Sequence, residues 1–277
     1  MNSEIRQSIT AKTLREALSL WLLLGCLLLL NRFVTSLSDK RIVLVALISS
    51  VFLLYVLFWN RRMERLAFRR AYLRKESRLF SLLSGRVLMC LGQAGLSVFF
   101  SGMLLVGMAR QEQSLLLWLL IFLVPIWLTS HYFWSSFFQK HGNSPFHLQL
   151  AYHVNRYIFG ICLLAGLFVL SLYQPVEDLT RKPLWEAIEI FSKDEKAQSS
   201  LLQAGVDLLV VLDAVRNWLG QNLADRLAGP LFQGALWFIL LIQQWLLVWP
   251  LLLLLQATHM LTDRRSWFNQ TRETGDE

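Results

Sequence analysis

The chain has 277 residues, of which 55% are hydrophobic and only 17% charged, and its formal net charge is +8. Soluble domains of this size usually carry more charge and fewer apolar side chains. Several apolar runs reach about 20 residues, the length that a helix needs to cross a hydrocarbon core of about 30 Å. The basic residues concentrate beside these runs, as membrane topology requires, so we expect no nucleic-acid partner. The sequence predicts an all-α integral membrane protein.

The first predicted element is a membrane span over Ala17–Leu37. Basic residues precede it, as in a signal sequence, and the run Leu23-Leu24-Gly25-Cys26 resembles a bacterial lipobox. Four more leucines follow Cys26 where a polar linker would be expected. We therefore interpret the segment as an uncleaved first span and not as a lipidated terminus.

The second predicted span covers Ile42–Trp59, and the most basic segment of the chain follows it. The positive-inside rule places this segment in the cytoplasm, together with both termini if the chain has six spans. Its basic residues could lie on anionic lipid headgroups or dock an acidic cytoplasmic partner. They are Arg61, Arg62, Arg65, Arg69, Arg70, Arg74 and Lys75.

The third predicted span, Val87–Ala109, has small residues along one face. Small residues allow another helix to approach closely inside a membrane. The stripe therefore predicts tight helix packing, and hinge or pore elements are the alternative. Its glycines are Gly85, Gly92, Gly95 and Gly102.

The fourth and fifth predicted spans are Leu115–Trp134 and Tyr157–Tyr173. The predicted cytoplasmic side of the chain holds His131, His141, His147, His153 and His259. Their spacing fits no zinc signature, and no acid lies close in sequence to complete a metal shell. The chain also shows no catalytic or nucleotide-binding motif. We expect no catalytic residue, no metal and no cofactor.

Few polar side chains lie deep in the predicted spans, and the amides Gln93, Gln243 and Gln244 are the main ones. Each needs a partner helix or a water-filled cavity, because an unpaired amide in hydrocarbon is unfavourable. No ionisable residue lies at the centre of any predicted span. Proton-driven carriers usually place such residues there, so the sequence disfavours a pump.

Residues 174–230 form a net acidic segment that the topology places outside the membrane. Pro183 can begin a short helix, and Ser199 or Ser200 can cap a longer one. The longer helix carries polar residues opposite an apolar stripe and is too short in its apolar part to span. We expect it to lie on the membrane or on the span ends, as a partner-binding or gating surface. The stripe includes Leu208, Leu212, Val215 and Leu219.

The last predicted span is Leu231–Gln256, followed by a short basic tail. The domain organisation is thus a five-span bundle (residues 1–173), a helical insertion outside the membrane (174–230), and a sixth span with a cytoplasmic tail (231–277). This organisation predicts a multi-pass protein of a bacterial inner membrane.

The layout resembles the permease subunits of ABC-2-type exporters. Those have six spans, a cytoplasmic loop between the second and third spans that contacts the ATPase, and short helices before the sixth span. The resemblance implies that residues 60–78 couple to an ATPase and that residues 183–229 form an outer gate. The leading hypothesis is a non-catalytic subunit that anchors or scaffolds a larger complex, and a permease driven by a separate ATPase is the alternative.

Overall fold

A computed structural model describes residues 3–72, 86–110, 113–141, 147–173, 177–192, 197–222 and 230–262. Helices dominate this part of the chain, which contains no strand. The all-α prediction is therefore confirmed for the described residues. The helices are α1 (Ser3–Phe33), with a 3-10 turn at Val34–Ser36, α2 (Asp39–Tyr72), α3 (Arg86–Arg110), α4 (Gln113–His141), α5 (His147–Tyr173), α6 (Leu184–Ser192), α7 (Ser200–Asn222) and α8 (Pro230–Thr262).

Five helical segments in the described part of the chain are long and apolar enough to cross a membrane. They are compatible with the multi-pass protein that the composition predicts. The predicted fourth span lies within α4, where the side chains of residues 113–121 are outside the described part. The five segments are Ala11–Ser36, Asp39–Leu66, Met89–Arg110, His147–Val169 and Gln244–Thr262.

The last helix, α8, forms the centre of the bundle. Its span is 65% buried, whereas the other four spans are 22–33% buried. Leu252, Leu253 and Leu255 have no exposed surface at all. α8 contacts α1, α2, α3 and α5, and a helix that is hydrophobic all round is suited to this position. The leucine run of the last predicted span is therefore the core of the fold.

Three helices continue well past the predicted span boundaries. α2 reaches Tyr72, α5 begins at His147 and α8 ends at Thr262. The predicted span boundaries lie at polar residues, because a span was predicted from the hydropathy of its side chains. The backbone hydrogen bonds of a helix do not depend on side-chain polarity, so the helices continue through these residues.

Between α5 and α8 the chain forms a short helix, α6, and a longer helix, α7. Pro183 directly precedes α6. Its carbonyl accepts hydrogen bonds from the backbone N–H groups of Glu186 and Ala187. The Ser199 hydroxyl caps α7 by accepting a hydrogen bond from the backbone N–H of Leu202 at 3.3 Å. α7 packs on α3 and α2 through a second hydrophobic cluster, which contains Val34, Ile42, Leu105, Leu202, Val206 and Val210.

Candidate functional site

Eight of the twelve buried polar residues of the described chain lie in one region, which we call the polar layer. They come from α1, α2, α4, α5 and α8. Measured along α1 and α2, the layer lies about 25–32 Å from the end of the bundle where α2 begins and α3 ends. This distance is close to the thickness of a hydrocarbon core. The members of the layer are Glu16, Asn60, His131, Gln149, Asn155, Arg156, Gln256 and His259, all of which are buried.

One half of the polar layer is a hydrogen-bonded cluster around Gln256. The Arg156 guanidinium donates to its Oε1 atom at 2.9 Å. The Gln256 amide in turn donates to Oδ1 of Asn60 at 3.1 Å. Gln149 donates to the Asn60 backbone carbonyl at 3.2 Å. These contacts connect α2, α5 and α8 through a single amide side chain.

Arg156 is a buried cation whose hydrogen-bonded partner is neutral. No carboxylate in the described part of the chain lies within salt-bridge distance of it. Its Nε atom is also buried and makes no hydrogen bond. The guanidinium instead lies 4.7 Å from the ring centroid of Trp249 and 5.5 Å from that of Tyr157. Aromatic faces attract a desolvated cation and partly replace a counter-charge.

The other half of the polar layer joins α1 to α8 and α4 through Glu16. Its carboxylate lies 3.5 Å from Nε2 of His259 and 3.8 Å from the Lys12 amine. Tyr132 donates a short hydrogen bond to the same carboxylate. Trp127 donates to Nδ1 of His259 at 3.4 Å. That donor leaves the imidazole proton on Nε2, where it points at Glu16.

His131 is the least satisfied member of the polar layer. Its ring stacks on Tyr152 at 4.1 Å and meets His259 edge-on at 4.5 Å. Its Nδ1 atom is buried and has no hydrogen-bond partner. The position of the His131 ring is thus fixed by its contacts with Tyr152 and His259.

The polar layer is suited to fixing helices and less suited to chemistry. Both nitrogens of His259 are already engaged by Trp127 and Glu16, so neither is free to take a proton from a substrate. Among the residues that the structure describes, no group of three His, Cys, Asp or Glu is placed to hold a metal ion. The contacts instead connect helices that are distant in sequence.

The predicted basic segment begins as part of α2 and not as a loop. Arg61 pairs with Glu64 at 2.9 Å, and Glu64 also lies 3.2 Å from His153 of α5. The Arg62 guanidinium lies 5.5 Å from the ring centroid of Trp59. Of the remaining predicted residues, Arg65, Arg69 and Arg70 are in the same helix, whereas Arg74 and Lys75 lie outside the described residues.

The glycine stripe of α3 does not meet another described helix closely. A Cβ atom added at Gly92, Gly95 or Gly102 would have nothing within 4 Å, and Gly85 lies outside the described residues. Close helix packing at this stripe stays a prediction. The tight approach on α3 is elsewhere, where a Cβ at Gly205 of α7 would lie 2.5 Å from Val106.

The apolar stripe of α7 is only partly covered. Leu208 and Leu212 are 62% and 41% exposed, and Val215 and Leu219 are half-buried. The face that docks on the bundle is a neighbouring one, as the second hydrophobic cluster shows.

Of the predicted amides, Gln93 and Gln244 are half-buried, and the side chain of Gln243 lies outside the described residues. None of the three belongs to the polar layer.

Sequence reasoning missed the polar layer because its members lie in different helices. Glu16, Asn60 and Arg156 each lie one residue beyond a predicted span end, and His259 lies three beyond. That position beside a span end was the only signal in the sequence, and it does not show which residues meet. No protein-family model, curated protein or solved structure matches the chain.

Proposed function

We propose that this protein is a non-catalytic membrane subunit that anchors a larger complex on the cytoplasmic face of a bacterial inner membrane. The observation that carries the proposal is the unbroken course of α2, from Asp39 to Tyr72. A helix of this length extends about 50 Å, whereas a hydrocarbon core measures about 30 Å. The arginines from Arg61 onward therefore stand on a stiff extension of a span.

Contacts with the bundle support the base of this extension. Asn60 is held by Gln256, Met63 is 1% exposed, and Glu64 contacts His153. A surface that is already ordered loses little conformational entropy when a partner binds. The extension is thus suited to holding a protein with an acidic surface, because its arginines are charged and close to one another.

The alternative function is a permease driven by a separate ATPase. The observation that favours it is the pair α6 and α7, which precede the last helix, as in the exporter layout; α6 packs on α7, and α7 packs on α3. Under this alternative the α2 extension contacts the ATPase.

Site-specific photo-crosslinking tests the proposal. A photoreactive amino acid replaces Arg65 or Arg69 in the full chain, with Arg41 at the other end of α2 as the matched control position. We expect a specific protein adduct at positions 65 and 69 and none at position 41. An ATPase in that adduct supports the permease. Adducts with lipid alone, from a chain that is monomeric in mild detergent, contradict both functions.

A further inference from the structure

Helix α7 carries a second apolar face that the described residues leave partly exposed. It faces away from the second hydrophobic cluster and is continuous over three turns. Its members are Leu201, Leu208, Val211 and Leu212, which are 60%, 62%, 37% and 41% exposed.

The side chains of α7 fall into three sectors when they are placed about 100° apart. The docked sector contains the buried residues Leu202, Val206, Leu209 and Val210. On one flank of it lies a polar sector with Gln203 and Asp207, which hydrogen-bond to each other at 2.6 Å. The exposed apolar sector begins on the other flank, beyond Gly205. It is centred roughly 150° from the docked sector.

The anchors of α7 show how these flanks are oriented. Its N-terminus is tied to Asp39, which accepts hydrogen bonds from the hydroxyls of Ser199 and Ser200. Farther along, Asp213 forms an ion pair with Arg110 at 2.6 Å. Asp39 is the first residue of α2 and Arg110 the last of α3. The helix therefore runs across the end of the bundle, at the level where two spans reach the membrane surface.

Between these anchors, Gly205 lies against Val106, which is one turn closer to the middle of the bundle than Arg110. The flank that carries Gly205 consequently faces the middle of the bilayer. The opposite flank, with Gln203 and Asp207, faces water. The exposed apolar sector then points away from the bundle and toward the membrane.

We propose that α7 is an interfacial membrane helix whose exposed leucines insert at the boundary between headgroups and acyl chains of the outer leaflet. An apolar face beside a polar one is what such helices use to bind this boundary. The first two turns of α2 expose Val43 and Leu44 at the same level. The apolar sector of α7 thus continues a surface that the spans already present to lipid.

Spin-label accessibility in proteoliposomes tests this placement. Cys26, Cys90 and Cys162 are replaced by serine, and single cysteines are introduced as Leu208→Cys, Leu212→Cys, Gln203→Cys and Asp207→Cys. Oxygen partitions into acyl chains, whereas a neutral nickel chelate stays in water. We expect labels at 208 and 212 to be relaxed mainly by oxygen, and labels at 203 and 207 mainly by nickel. Val206→Cys is the docked control and is expected to be shielded from both.

Three results would overturn the placement. Nickel-dominated relaxation at 208 and 212 would show a cap that stands in water. Shielding of these positions from both agents would show a protein partner or a second copy of the chain on this face. Accessibility at 206 would also count against it, because the proposed depth depends on docking to α3.

Discussion

Gln256 hydrogen-bonds to two buried polar side chains, the Arg156 guanidinium and the Asn60 amide. Neutral hydrogen bonds between membrane helices average only about 0.6 kcal/mol. A buried charged donor without an acceptor is more costly, about 2–3 kcal/mol. The contribution of Gln256 to stability therefore depends mainly on the charge of the Arg156 guanidinium that it accepts from.

Replacing Gln256 by leucine is expected to lower the free energy of unfolding by about 2–3 kcal/mol, because Arg156 loses the acceptor that Gln256 provides. Thermal unfolding in detergent measures the change. The matched control is Gln93→Leu, since no described residue hydrogen-bonds to the Gln93 side chain, and its effect should stay within about 0.5 kcal/mol. Equal losses for the two variants would contradict the role assigned to Gln256.

Glu16 allows a second comparison at the residue scale. Glu16→Leu removes the acceptor for Tyr132 and for His259 and is expected to destabilise the protein by about 1–3 kcal/mol. Glu16→Gln keeps an oxygen acceptor for Tyr132, so its loss should be smaller. The same thermal assay checks both variants. Equal melting temperatures for the leucine and glutamine variants would show that hydrogen bonding at Glu16 does not matter.

At the scale of elements, the close packing of α7 against α3 depends on the absence of a side chain at Gly205. A methyl group there would lie 2.5 Å from Val106, and valine in a helix has little freedom to turn aside. Gly220 is on the same helix and has nothing within 4 Å of an added Cβ. The two glycines are thus a matched pair with opposite surroundings.

Gly205→Ala is expected to weaken docking of α7 by about 1–3 kcal/mol. Hydrogen exchange of α7 amides measures this loss as faster exchange over residues 202–214. Gly220→Ala should leave exchange unchanged or slow it, because alanine favours helix by about 1 kcal/mol. Adding Val106→Ala to Gly205→Ala should restore protection, and failure to do so would refute a steric cause.

At the scale of the whole molecule, α7 and the basic extension of α2 are expected on opposite sides of the membrane. Asp207→Cys should react with an impermeant thiol reagent from outside, and Arg65→Cys only after the membrane is opened. Val210, which is 1% exposed, is the control position for a cysteine that reacts from neither side. Reaction of both test positions from one side would refute the predicted topology.

Much of this architecture follows from sequence because hydrocarbon leaves a long apolar run few alternatives to a helix. A helix satisfies all of its backbone hydrogen bonds internally, so long apolar runs could only become helices. The helices α6 and α7 were also predictable, because Pro183 and Ser199 act on backbone groups within a few residues of themselves.

The contacts within the polar layer could not be predicted from the sequence, because only the tertiary structure brings its residues together. Glu16 and His259 lie at opposite ends of the sequence, and no local pattern around either residue predicts that they are in contact. Desolvation makes a buried polar group favour whichever partner the packing brings near, and packing is decided by the whole bundle. The docked face of α7 was likewise undetermined, because the helix has two apolar faces and the sequence does not show which of them meets α2 and α3.

The sequence by itself thus determined that the chain is helical, that its apolar runs suit a bilayer, and where its local caps fall. Tertiary structure decided which helix is central, which polar residues meet, and that the basic segment continues a span. The physical reason is range: hydropathy and capping act over a few residues, whereas burial and pairing act between residues that only the fold brings together.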